Sequence, residues 1–152
     1  VRQPGPIELM EMFEVMVEIE AVCGRLAALR ISDAALEDLR DTNAKCHAAV
    51  DGSNPDAYYL ENERFHRIIY EESGNAFLAQ EAYKLHKRLK PFRRQQLRFR
   101  GRLQQSMGEH EAILQALSDG CQEAAAKALR DHVAVQGEKF QRLMTTLKAA
   151  AE

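Results

Sequence analysis

Apolar residues recur along this chain at intervals of three and four, the spacing of one face of an α-helix. The first such stretch predicts a helix from about Ile7 to Arg30. There Leu9, Phe13, Met16, Val17, Ile19, Glu20, Cys23, Leu26 and Ala27 include many i, i+3, i+4 and i+7 neighbours. Ser32 reads as the cap of a second helix, with Asp33 in the first turn where the helix dipole favours an acid. That helix runs to about Val50, with Leu36, Leu39, Asn43 and Cys46 on one side. Asp51 to Pro55 is a loop in which Asn54 can cap and Pro55 suits a first helical turn. A third helix, about Asp56 to Glu72, draws its apolar surface from Leu60, Phe65, Ile68 and Ile69.

Gly74-Asn75 supplies a stop and the next start. A fourth helix covers about Ala76 to Leu89. Pro91 is expected to kink or break it, since proline has no amide proton and clashes with the preceding turn. Phe92 to Arg100 then continues as a basic helix carrying Arg93, Arg94, Arg98 and Arg100. A fifth helix spans about Leu103 to Ser118 and ends at Asp119-Gly120. The last runs from about Gln122 to Lys148, and its Ala124-Ala125-Ala126 allows close helix packing. Sustained period-2 alternation is absent. The expected fold is all-α, an antiparallel bundle of six or seven helices in one domain, residues 7–150. Residues 1–6 read as a linker remnant, which leads to the expectation that the chain is a piece of a longer protein.

Composition narrows the picture in three places. A net charge of -2 does not suit nucleic-acid binding by bulk charge. No apolar run approaches the roughly 20 residues of a membrane span. Cys23, Cys46 and Cys121 are odd in number, far apart and without CxxC spacing. That disfavours a disulfide framework or a thiolate zinc site and leads to an expectation of a reducing cytoplasm.

The candidate chemistry lies in the histidines. His66, His110 and His132 sit inside three different expected helices. Asn62 and His66 are i and i+4, one turn apart on one face, a geometry that lets two side chains grip one ion. Ile113, Leu114 and Leu117 mark the buried side of the helix that carries His110, and His132 lies at i-3 from Val135. Three imidazoles and an amide oxygen from three helices can then converge on one metal. Imidazole suits zinc, nickel, copper and iron, and an oxygen ligand also tolerates manganese. Inward histidines are also common as hydrogen-bonded core residues, and helical spacing leaves both readings open. Glu109, next to His110, is about 100° around the helix and is expected to face elsewhere. His47 and His86 have no partners at helical spacing, and the four tyrosines read as packing residues with polar tips.

Four stretches carry a resemblance that covers essentially the whole chain: Asn62-Glu63-Arg64-Phe65-His66; Glu72 to Leu78; Ser106-Met107-Gly108-Glu109-His110 on to Leu117; and Ala124 to His132. In that order they resemble the C-terminal effector-binding domain, of FCD type, of GntR-family transcriptional regulators. The resemblance implies a sensor and not an enzyme. It implies a divalent transition metal on Asn62, His66, His110 and His132, with zinc or nickel foremost and manganese or iron as alternatives. It further implies a small organic acid effector in the central cavity, a homodimer, and contact with DNA only through a preceding winged helix-turn-helix domain that this chain lacks. Two departures stand out. Met16 occupies the place where such domains often carry an inward arginine that holds the effector carboxylate, and Cys121 replaces the usual capping aspartate of the last helix.

For the effector, Arg94 is the favoured guanidinium of the basic stretch, since arginine grips carboxylate bidentately. Ser106, one turn before His110, can donate to an effector or cap its helix. Two other function classes find partial support in the sequence. A metal-dependent helical-bundle enzyme has one Glu-x-x-His, at Glu63 and His66. A di-iron site needs a second, but Met107 and Leu129 stand three residues before the other histidines. A purely structural module leaves the inward histidines unexplained.

Overall fold

The computed structural model describes residues 2–151. Within them the chain forms six helices: α1 Pro6–Arg30, α2 Asp33–Asp51, α3 Pro55–Glu72, α4 Ala76–Gln96, α5 Arg102–Ser118 and α6 Gln122–Ala151. Three starts are capped as the sequence predicts. The side-chain oxygens of Ser32, Asn54 and Asn75 accept from the amides of Ala35, Ala57 and Leu78 at 3.0–3.1 Å. Pro6 and Pro55 stand in first turns, where their missing amide protons cost nothing.

α1 packs along most of α6 and runs antiparallel to it. Phe13 meets Phe140 with ring centroids 6.4 Å apart, while Gly24 meets Ala125 and Leu129. The crossing is tight because Gly24 has no side chain. A Cβ there would lie 2.2 Å from Leu129 Cδ1 and 3.2 Å from the Ala125 carbonyl oxygen. α2 and α5 are likewise antiparallel: Arg40 donates to Ser118 at 3.1 Å and Asn43 to Glu111 at 3.0 Å. α3 and α4 form the third such pair, with Tyr70 against His86 at one end and Asp56 against Arg94 at the other. The all-α antiparallel bundle expected from the periodicity is therefore the fold.

Two apolar clusters fill it. The larger includes Phe13, Met16, Phe65, Ile69, Leu129 and Phe140; the smaller joins Cys46, Tyr58, Tyr59 and Met107. His110 lies against both, stacked on Phe65 of one and Tyr58 of the other.

Three sequence expectations are corrected. Pro91 does not break its helix, because α4 continues through it to Gln96. Pro91 and Lys87, whose carbonyl loses its donor, are both exposed, so water can replace the lost bond. The basic stretch is not helical to Arg100 but turns at Leu97–Gly101, where Gly101 adopts φ 77°. Leu60 is 67% exposed and leaves the inner surface of α3 to Phe65, Ile69 and the buried tyrosines.

Candidate metal centre

α3, α5 and α6 each carry one histidine of the site, and His66, His110 and His132 are all fully buried. One ligand nitrogen from each can be chosen so that all three lie within 4.8 Å of one another. The His66 and His132 rings stack at 5.2 Å with planes 13° apart, and His110 meets His132 edge-on at 5.0 Å. Helical phase explains the inward direction, since His66 shares the face of Asn62, Phe65 and Ile69, and His110 that of Ser106, Ile113 and Leu117.

Two carboxylates from other segments set the rings. Glu20 of α1 bonds His66 Nδ1, and its second oxygen accepts from Arg93 Nη1 at 2.8 Å. Glu20 and Arg93 have no exposed side-chain surface. Glu109 reaches across from α5 to His132 Nδ1 at 2.5 Å and accepts from Arg102 Nη1 and Nη2 at 3.1 and 2.9 Å. Arg102 Nε in turn donates to Gln96 Oε1 at 2.6 Å. A carboxylate on Nδ1 fixes which nitrogen carries the proton and leaves Nε2 free to bind a metal. Helical spacing alone does not identify these two carboxylates as partners of the histidines. Glu20 was a visible signal, a charge in the apolar face of α1. Glu109 does not face away as its helical phase predicts, because α5 packs against α1, α2 and α6 and so has more than one inner face.

The electrostatics keep imidazole lone pairs available. Burial, then the neighbouring imidazoles and Arg102, pushes His110 well below the ordinary histidine range; burial, then His66 and Arg102, does the same to His132. Burial alone would raise Glu20, but Arg93 and then His66 outweigh it and hold that carboxyl well below the usual range. For Glu109 burial wins over Arg102 and raises the carboxyl. Burial, with Glu20 second, pushes the Cys23 thiol up to about 12, and burial with Glu61 takes Cys46 to about 12. Neither offers a thiolate at neutral pH.

The donor set fits a metal ion on direct structural grounds. His66 Nε2, both ring nitrogens of His110 and Asn62 Oδ1 are buried with no hydrogen-bond partner. Leaving one buried polar group unpaired costs about 1–3 kcal/mol. Four such atoms, on His66, His110 and the Asn62 amide, are a costly arrangement for an apolar core and a suitable one for a cation.

The other candidate residues fall out differently. Ser106 is buried and shares a hydrogen bond of 2.5 Å with the Tyr58 hydroxyl, one turn from His110, so it does not cap its helix. Met16 is fully buried in the larger apolar cluster, one turn before Glu20. Arg94 does not turn inward. It lies on the surface against Asp56 and over the Tyr59 ring, and the inward guanidinium is its neighbour Arg93. Adjacent helical residues point about 100° apart, and on α4 that step carries Arg94 from the interior to the surface. His86 is buried, contacting Tyr70 at 3.2 Å and Arg93 at 3.0 Å, whereas His47 is exposed and pairs with Glu111. Cys121 is exposed rather than part of the core. Among the described residues no helix is long and apolar enough to cross a membrane.

A family model for the FCD domain matches residues 11–135. No curated protein matches the chain. Among solved structures, Streptococcus agalactiae GntR superposes with a TM-score of 0.73 at 21% identity, covering 86% of this chain and 58% of that one. E. coli McbR/YncC superposes with a TM-score of 0.84 at 18% identity, covering 94% of this chain and 72% of that one. At such identities these likenesses establish the fold. The chain spans little more than half the length of the first of them.

Proposed function

This chain belongs to the FCD domain family, and on that premise we propose that it is the effector-sensing part of a GntR-type transcription regulator. It holds one divalent transition metal ion on Asn62, His66, His110 and His132 and binds a small organic acid beside it. The observation that carries this reading is the set of buried, unpartnered atoms on His66, His110 and Asn62 beside His132, with carboxylates backing His66 and His132. Three imidazoles and neutral amide oxygen point to zinc or nickel first, then manganese or iron. With three imidazoles and no thiolate the site differs from a closed structural zinc site. When bound, the metal supplies a positive centre with open positions that a carboxylate can enter.

The chain's own residues do the rest. Glu20 and Glu109 orient the rings of His66 and His132. Arg93, whose Nε and Nη2 are buried without acceptors, supplies the guanidinium that Met16 cannot. It thereby takes the effector role that the sequence suggested for Arg94. Ser106 and Tyr58 offer hydroxyls one turn from His110. In the whole regulator, effector binding alters the grip of a preceding winged helix-turn-helix domain on DNA, in a cytoplasmic homodimer.

Metal analysis of the purified chain, followed by thermal shift with a chelator and a panel of small organic acids, tests the reading. The expected result is about one metal per chain, a lower melting temperature on chelation, and stabilisation by a carboxylic acid without turnover. A chain that takes up no metal and is indifferent to chelation refutes it. Turnover of a panel compound points instead to a metal-dependent enzyme.

A further inference from the structure

One contact at the histidine cluster lies outside the carboxylate scaffold. Gln136 follows His132 by one turn of α6 and is 2% exposed. Its Nε2 donates to His132 Nε2 at 2.9 Å. Since Glu109 holds His132 Nδ1, this Nε2 is the nitrogen left for a metal. The Gln136 N–H and a metal ion therefore compete for one lone pair. Meanwhile Gln136 Oε1 is buried and has no donor.

A half-turn of the amide about its last side-chain bond exchanges these two atoms. It removes the N–H from the lone pair and sets Oε1 in its place, 2.9 Å from His132 Nε2. Two ligands each about 2.1 Å from one ion, at right angles, are about 3.0 Å apart. The oxygen thus lands at a ligand-to-ligand distance, where the ion would pair the buried acceptor that now has no donor. The pairing also has a counterpart on α3. Asn62 and His66 are an amide and an imidazole at i and i+4; His132 and Gln136 are the same pair in reverse order. Residues at that spacing lie on one helix face.

We propose that Gln136 is a metal ligand through Oε1, alongside Asn62, His66, His110 and His132. This inference rests on the metal reading above and deepens it. Three nitrogens and two neutral oxygens exceed the four positions of a tetrahedral ion. The set therefore favours metals that accept five or six ligands, such as nickel, cobalt and manganese, over a four-coordinate zinc.

Titration of the chain with cobalt(II) alone, against a chromophoric competing chelator, tests this in the wild type, Gln136→Leu and Gln136→Glu. Cobalt(II) absorption strengthens as coordination falls from six or five to four. Gln136→Leu is expected to lose about 10-fold or more in affinity, at least what a lost outer-shell partner costs, with a stronger visible band. Gln136→Glu, which conserves shape and restores an oxygen, is expected to bind at least as tightly as the wild type with a weak band. If Gln136→Leu keeps wild-type affinity and spectrum, Gln136 is not a ligand while the histidine site stands. Loss of affinity in both variants with an unchanged spectrum also overturns the assignment, because it reports packing. A wild type that takes up no cobalt removes the metal reading and this inference together.

Discussion

Arg93→Met is the most informative single change, because it removes one half of a fully buried ion pair. Arg93 and Glu20 lie 2.8 Å apart with no exposed side-chain surface. Removing one partner of such a pair costs about 3–5 kcal/mol, since the other charge is stranded in the interior. For a domain of this size that is roughly 6–20 °C in melting temperature, at about 2–4 °C per kcal/mol. Replacing both partners by apolar residues of similar volume is often neutral or stabilising. Glu20→Met with Arg93→Met should therefore recover part of the loss. The pH dependence gives a second signature. In the wild type the Glu20 carboxyl is held well below its ordinary value, mainly because Arg93 and His66 overcome burial. Its contribution to stability is present above the unfolded pKa of 4.5 and is lost as pH falls towards the lower folded value. In Arg93→Met, burial is opposed only by the histidines and the carboxyl rises. If it passes the unfolded value, the sign reverses and the deficit shrinks as pH drops from 7 towards about 4. Urea and thermal unfolding by circular dichroism, with a chelator present throughout, measure both effects. A single variant within about 1 kcal/mol of the wild type, or a deficit that widens towards acid, refutes the account of this pair.

Further outcomes follow from other contacts. Glu109→Gln should lower zinc affinity about 10–100-fold in a competition titration, because it weakens the acceptor that orients His132. His110, His132 and His86 are held below the ordinary histidine range by burial first. The metal-free chain should thus have its full stability above about pH 6.5 and lose it as pH falls, since the unfolded chain takes up protons that the folded one refuses. The slope is up to about 1.4 kcal/mol per pH unit for each histidine, read from urea midpoints between pH 7.5 and 5.5. Gly24→Ala should cost about 1–3 kcal/mol by forcing α1 from α6, and a neutral result in chemical denaturation would show that the crossing is loose. Arg94→Ala should change neither melting temperature nor metal affinity, since that side chain pairs with Asp56 at the surface.

Local rules acting within a few residues made much of this protein legible in its sequence. Ser32, Asn54 and Asn75 are helix starts because their short oxygens reach amides three residues on. The histidines at 66, 110 and 132 turn inward because a helix repeats its faces every 3.6 residues. Periodicity assigns a face, however, and never a partner. That Glu20 meets His66 and Arg93, that Glu109 crosses to His132, and that Arg93 rather than Arg94 is buried all depend on how separate helices lie against one another. Pro91 teaches the same lesson from the backbone. Its local penalty is real, but the helix persists because Lys87 and Pro91 lie on the exposed side and the residues beyond Pro91, Arg93 and Gln96 among them, are anchored in the interior. Energies shared among residues distant in the chain decide such matters, and only the packed structure brings those residues together.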